Sequence, residues 1–235
     1  MVVPAVLFLA INAGADTARG WAIPMATDIA FAAGALALFG SKLPKSIKVF
    51  LLSLAIVDDI GAIVVIAIIY AGAVKWAPLI AVAVAIALPA RQYGERLETW
   101  LHPWTSYLIV PLFALANAGV SLSGHALSGA LTSRLGLGIV VGLVAGKLAG
   151  VSGATLVATR FGMPLPEGAG PRDVAGVAAL TGIGFTVSLF IAGLAFTDPA
   201  SSATATIGIL CGSLVASALG AVILRAGRAP ASKDS

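Results

Sequence analysis

Long apolar runs take up most of the chain, and its polar residues fall largely between them. Eight runs stand out, at residues 2–15, 23–39, 47–70, 76–89, 104–120, 135–159, 174–197 and 203–224. Each is continuously apolar instead of alternating over about ten residues, so the pattern predicts helices and not the strands of a barrel. At a rise of about 1.5 Å per residue, the run at 47–70 reaches roughly 36 Å, enough to cross a hydrocarbon core of about 30 Å with some tilt. The run at 76–89 would extend only about 21 Å and is the weak link in the count of crossings.

Two runs are interrupted in a way that ordinary spanning helices are not. Trp21, Ala22, Ile23, Pro24, Met25, Ala26, Thr27 and Asp28 lead into the second, and Thr181, Gly182, Ile183, Gly184, Phe185 and Thr186 sit in the middle of the seventh. Glycine, threonine and a carboxylate at these places point to unwound backbone at Thr181, Gly182, Gly184 and Thr186 and before Asp28. Such backbone survives in a membrane only when buried in protein or lining a wet cavity, because each unsatisfied peptide group costs several kcal/mol. The interrupted run is second of three in each half, and corresponding runs lie five crossings apart. An odd offset inverts the second triplet, which is the inverted-repeat transporter architecture, with two broken helices crossing at the midplane. The expected organisation is a first core repeat at 1–70, a reduced interface region at 71–134, and a second core repeat with a cytoplasmic tail at 135–235.

Composition agrees with an all-α polytopic membrane protein: 59% of residues are hydrophobic, 10% are charged and the mean hydropathy is +1.04, where soluble domains carry about 25% charged residues. The net charge of +4 therefore bears on orientation and not on nucleic acid. With both termini in the cytoplasm, Lys42, Lys45, Lys48, Arg91, Arg96, Arg160, Arg172, Arg225, Arg228 and Lys233 lie inside and only Arg19, Lys75 and Arg134 outside, a clear positive-inside bias. Met1 runs straight into apolar sequence without a basic stretch, so no cleavable signal is expected. Cys211 is the only cysteine and reads as a small core hydrophobe, leaving no disulfide framework or cysteine metal site within one chain.

Against this background Asp58 and Asp59 are conspicuous, because they fall near the middle of the run at 47–70. An ionised aspartate there costs about 2.5 to 3.5 kcal/mol, so the pair reads as an ion or proton site, with a structural ion-pair network as the alternative. Neighbours on a helix point about 100° apart, so position alone does not rank the two. Lys147, at the centre of the run at 135–159, is poorly placed to snorkel and is expected to face protein or water. Near the first break, Asp28 suits the positive ends of two half-helices. Thr27 could lend an oxygen to a hard cation or cap a half-helix.

Five stretches, AIPMATDIAF at 22–31, LAIVDDIGAI at 54–63, LHPW at 101–104, NAGVSL at 117–122 and GIGFTVSLFI at 182–191, resemble in order the NhaA family of bacterial sodium/proton antiporters. The resemblance implies a secondary transporter of the plasma (inner) membrane, not an enzyme, that exchanges cytoplasmic Na+ or Li+ for external H+ and regulates intracellular pH and sodium without a cofactor. It makes Asp59 the principal ion ligand and proton carrier, with Asp58 beside it and transient Na+ or Li+ at the two, and Thr27 joins this ion-binding and proton-coupling set through the oxygen it could lend. It also pairs Lys147 with Asp58 and has Lys147 balance charge at the helix crossing, where Asp28 reads from the half-helix ends as a second charge balancer, with direct ion ligation as the alternative. Glu98 and His102, four apart at the inside end of the fifth run, fall near the family's pH-sensing region. Thr99 stands where another histidine is expected, and ordinary solvated charges are the alternative there. Relative to the family's twelve segments, the chain is expected to start in the third and to keep one span of three between Tyr70 and Trp104. The absent early hairpin is the family's dimer-forming element, which bears on whether a homodimer forms.

Two rival readings remain. One is a non-transporting membrane remnant, suggested by the shortened region between Tyr70 and Trp104. The other is an intramembrane aspartyl protease, which needs its two aspartates on facing elements, whereas Asp58 and Asp59 are consecutive.

Overall fold

The computed structural model describes residues 1–40, 43–69 and 124–226, together with the single positions 100, 103, 104, 108 and 112. Regular structure among them is helical throughout. Helix α1 spans Val2–Ile11 and leads into a 3-10 helix at Asp16–Met25; α2 (Ile29–Phe39) and α3 (Lys45–Ile69) follow. After the undescribed stretch come α4 (Gly124–Thr132), α5 (Arg134–Val141), a π-helical turn at Gly142–Gly146, and α6 (Lys147–Arg160). The chain then forms α7 (Pro171–Leu180), α8 (Phe185–Ala195) and α9 (Pro199–Ala226).

Three of these elements are long and apolar enough to cross a membrane: α3, the continuous Arg134–Arg160 formed by α5, the π turn and α6, and α9. Two bent pairs qualify when each is taken as one span, the 3-10 helix with α2 at 49° and α7 with α8 at 44°. The runs at 76–89 and 104–120 lie outside the described residues. The first run departs from expectation. Its helix is only Val2–Ile11, about 15 Å long, because buried Asn12 ends it by sending its side-chain amide back to the Phe8 carbonyl at 3.1 Å, and Gly14 turns the chain with φ +74.

Apolar surface is distributed as a membrane protein requires. On α3, Val49, Leu52, Ile56, Ile60, Ile63 and Ile68 are exposed while Leu51, Ala55, Asp58 and Ala62 are buried, so the polar residue faces the protein and the apolar stripe faces out. Two apolar clusters flank the bends. The first gathers Phe8, Ile23, Ile139, Leu143, Leu189 and Ile209, joining the 3-10 helix to α8. The second gathers Leu36, Leu51, Val177, Leu180 and Leu224, joining α2 to α7. Each cluster thus takes one half of each bent span, and the two bends lie between them.

The π turn packs directly on this region. A Cβ on Gly142 would come within 2.6 Å of the Pro24 side chain, and one on Gly146 within 2.7 Å of Pro4. Glycine at these two places lets the backbone of this span approach the first bend at Pro24 and α1 at Pro4.

Candidate functional site

The first bend forms because Pro24 supplies no N–H and Asp28 is a strong N-cap residue. Ala26 and Asp28 are extended, and α2 begins afresh at Ile29 with Asp28 as its cap. The second bend has Gly182 and Gly184, both unfavourable in a helix interior, between the end of α7 and the start of α8. The bends touch through the main chain, where the Asp28 N–H donates to the Ile183 carbonyl.

One carboxylate serves two helix ends. Asp28 Oδ1 accepts from the Phe31 N–H of α2 at 3.1 Å, while Oδ2 accepts from the Thr186 N–H of α8 at 3.0 Å and from the Thr186 hydroxyl. Each helix N-terminus carries roughly half a positive charge, so Asp28 is matched by the pair. Phe31 and Phe185, from the same two helix starts, pack edge to face with ring centroids 4.7 Å apart.

Beside this joint lies a buried triad of Thr27, Asp58 and Lys147. Lys147 Nζ donates to Asp58 Oδ2 at 2.5 Å and to the Thr27 hydroxyl oxygen at 2.8 Å. The Thr27 hydroxyl lies 2.9 Å from both Asp58 Oδ2 and the Thr181 carbonyl. It has one proton, so it donates to only one of them at a time. Threonine is therefore a two-way connector between the ion pair and the end of α7.

Asp59 differs from its neighbour. Asp58 is held by Lys147 and Thr27, whereas Asp59 Oδ1 is buried with no hydrogen-bond partner among the described residues; it feels the charges of Asp28, Asp58 and Lys147. A buried carboxylate oxygen left unpaired is costly unless a proton or a cation completes it. Chemically, the arrangement offers one carboxylate oxygen able to take a proton or a cation, next to a neutralised ion pair and a capped helix joint.

Asp28, Asp58, Asp59, Thr27 and Lys147 thus come from three separate parts of the chain to one place. Thr181 contributes its carbonyl, since its hydroxyl turns back to the Ala178 carbonyl at 2.7 Å. Gly182 and Gly184 lie in the bend, and a Cβ on Gly182 would press on the Leu143 carbonyl. Thr186 departs from expectation: it sits in the first turn of α8 instead of in unwound chain, because Asp28 caps the α8 backbone there. Glu98 and His102 lie outside the described residues.

Two serines are part of the joint although nothing in the sequence pattern singles them out. Buried Ser188 donates to the Ile23 carbonyl at 2.8 Å, tying α8 to the 3-10 half of the first bent span. Ser213 of α9 accepts from the Gly184 and Phe185 N–H groups, each at 3.3 Å. The only signal is a hydroxyl in an otherwise apolar helix, one among several in α8 and α9, and such hydroxyls are common in membrane helices and say little by themselves.

Comparison with known proteins gives a consistent result. Residues 1–93 and 81–224 match the profile of the family described as Na+/H+ antiporter 1. The Na(+)/H(+) antiporter NhaA of Paramagnetospirillum magneticum is 44% identical over 95% of this chain and 72% of its own length. That of Salmonella arizonae is 44% identical over 96% and 72%, and that of Citrobacter koseri 44% over 98% and 73%. The first alignment spans 275 positions against 235 residues in the whole chain, so the relative carries residues inside the aligned region that this chain lacks. The two profile matches meet at 81–93, within the stretch between Tyr70 and Trp104 expected to be short.

Proposed function

Since the chain belongs to the Na+/H+ antiporter 1 family, we propose that it exchanges cytoplasmic Na+ or Li+ for external H+, with Asp59 as the carboxylate for which the two compete. The observation that carries this assignment is Asp59 Oδ1, which has no hydrogen-bond partner among the described residues, beside groups that already satisfy one another. A cation bound there displaces the proton, and a proton displaces the cation. Exchange follows from that competition once the site is exposed to one side at a time. Oxygen donors suit a hard monovalent ion that is carried and released.

In this reading Lys147 and Asp58 hold the core neutral and Thr27 lends its oxygen to the cation when the Lys147 contact loosens. Asp28 balances the two helix ends. The core consists of two inverted repeats, at 1–70 and 135–235. Support comes from two bends of similar angle that meet through a backbone hydrogen bond, each apolar cluster combining one half of each bent span. The protein resides in the bacterial inner membrane with both termini cytoplasmic, on the strength of the basic residues gathered on one side.

Reconstitution into vesicles holding an internal pH dye tests the function directly. Addition of Na+ or Li+ to vesicles with an imposed pH gradient should dissipate it, and K+ should do so far less. A protein that inserts and yet moves no protons with any of the three cations is the outcome that defeats the proposal.

A further inference from the structure

We propose that Ser213 is a positioning residue for the ion site: from α9, outside both bent spans, its hydroxyl oxygen holds the first N–H groups of α8 and so sets the field that α8 presents to Asp28. The first N–H groups of any helix lack intrahelical acceptors, and in a membrane they have no water to turn to. At α8 they are divided between two acceptors from distant parts of the chain. Asp28 takes Thr186, and Ser213 takes Gly184 and Phe185. A hydroxyl oxygen has two lone pairs, so Ser213 is saturated as an acceptor in this role. Ser213 is buried and lines, with Phe31, Ile183 and Phe185, a groove between α2 and α9.

The electrostatic consequence has a definite sign. Without the Ser213 oxygen, two N–H dipoles at the start of α8 are left uncompensated and add to the positive end that faces Asp28. Positive potential there disfavours proton and cation alike at the nearby carboxylates. The exchange profile then moves to lower pH, and the KM for Na+ rises. This functional half rests on the exchange reading above; the structural half does not.

The test compares Ser213→Thr with Ser213→Val in the full chain, because these side chains match in shape and differ in the hydroxyl. Hydrogen–deuterium exchange of peptides covering 184–187, in detergent, should be faster in the valine variant by about tenfold, the scale of one net hydrogen bond, and close to the parent in the threonine variant. In vesicles the valine variant should shift half-maximal exchange by about half a pH unit towards acid and raise the Na+ KM several-fold, with threonine tracking the parent. Ser213→Ala, which removes the hydroxyl without adding bulk, gives the same reading should the β-branched side chain upset packing. Unchanged protection at 184–187 in the valine and alanine variants overturns the proposal, as does a threonine variant that behaves like valine. A parent that moves no protons counts against the exchange reading, and the deuterium result then still judges Ser213.

Discussion

The N–H of Asp28 and the carbonyl of Ile183 form a 2.6 Å hydrogen bond between the two bends, so the crossing is tied through backbone as well as through side chains. Replacing a single side chain at the crossing therefore changes charge or occupancy there while leaving one main-chain link in place. That makes substitutions at the neighbouring carboxylates informative about function and not only about folding.

Asp59→Asn should abolish Na+-dependent proton movement in vesicles while expression and melting stay near the parent's. The variant keeps an oxygen at the site but cannot carry the charge. Saturable exchange surviving in this variant would remove Asp59 from its proposed role.

Competition for one carboxylate predicts that apparent Na+ affinity weakens as pH falls, by up to about tenfold per pH unit for each proton displaced. The sign is fixed, since protons occupy the site from the acid side. Half-saturation measured at several pH values checks it, and a value independent of pH would indicate separate paths for the two ions.

Asp58→Asn and Lys147→Gln should each lower stability strongly, by about 3 to 5 kcal/mol, because each leaves the other charge buried and unpaired. The double variant should recover most of that loss, since Thr27 can still donate to the Thr181 carbonyl at 2.9 Å. Thermal melts in detergent give the cycle. Simple additivity would mean that the ion pair at 2.5 Å carries no coupling.

Gly182→Ala adds a methyl group where the Ala216 side chain would lie 2.9 Å away and the Ala179 carbonyl 3.0 Å away. Overpacking of this kind costs about 1 to 3 kcal/mol. The variant should melt lower and exchange more slowly. Gly34→Ala, where a Cβ meets nothing within 4 Å, should do neither.

Much of the site is legible in the chain because charge inside an apolar run is hard to overlook. Asp58, Asp59 and Lys147 stand out for that reason alone, and the bends announce themselves through Pro24, Asp28, Gly182 and Gly184. What stays hidden has a common cause: it depends on which distant backbone groups need a partner. That Asp28 caps α8 as well as α2, that Thr181 offers its carbonyl and not its hydroxyl, and that Ser188 and Ser213 close further contacts all follow from the three-dimensional meeting of the bends. The early end of α1 is hidden for a similar reason, since Asn12 reads as one polar residue in an apolar run until its contacts with the Phe8 and Arg134 carbonyls are seen.

The π turn at Gly142–Gly146 sits immediately before Lys147. A π turn accommodates one residue more than an α turn, and each residue of an α-helix advances the azimuth by about 100°. The span Arg134–Arg160 is thereby split into two phases. Its first half packs on α1 and α9, and its second half opens with Lys147, whose ammonium meets Asp58. Residue spacing measured from Arg134 thus gives the wrong bearing for Lys147, and the direction in which the lysine points is set by how the backbone is wound in the turn that precedes it.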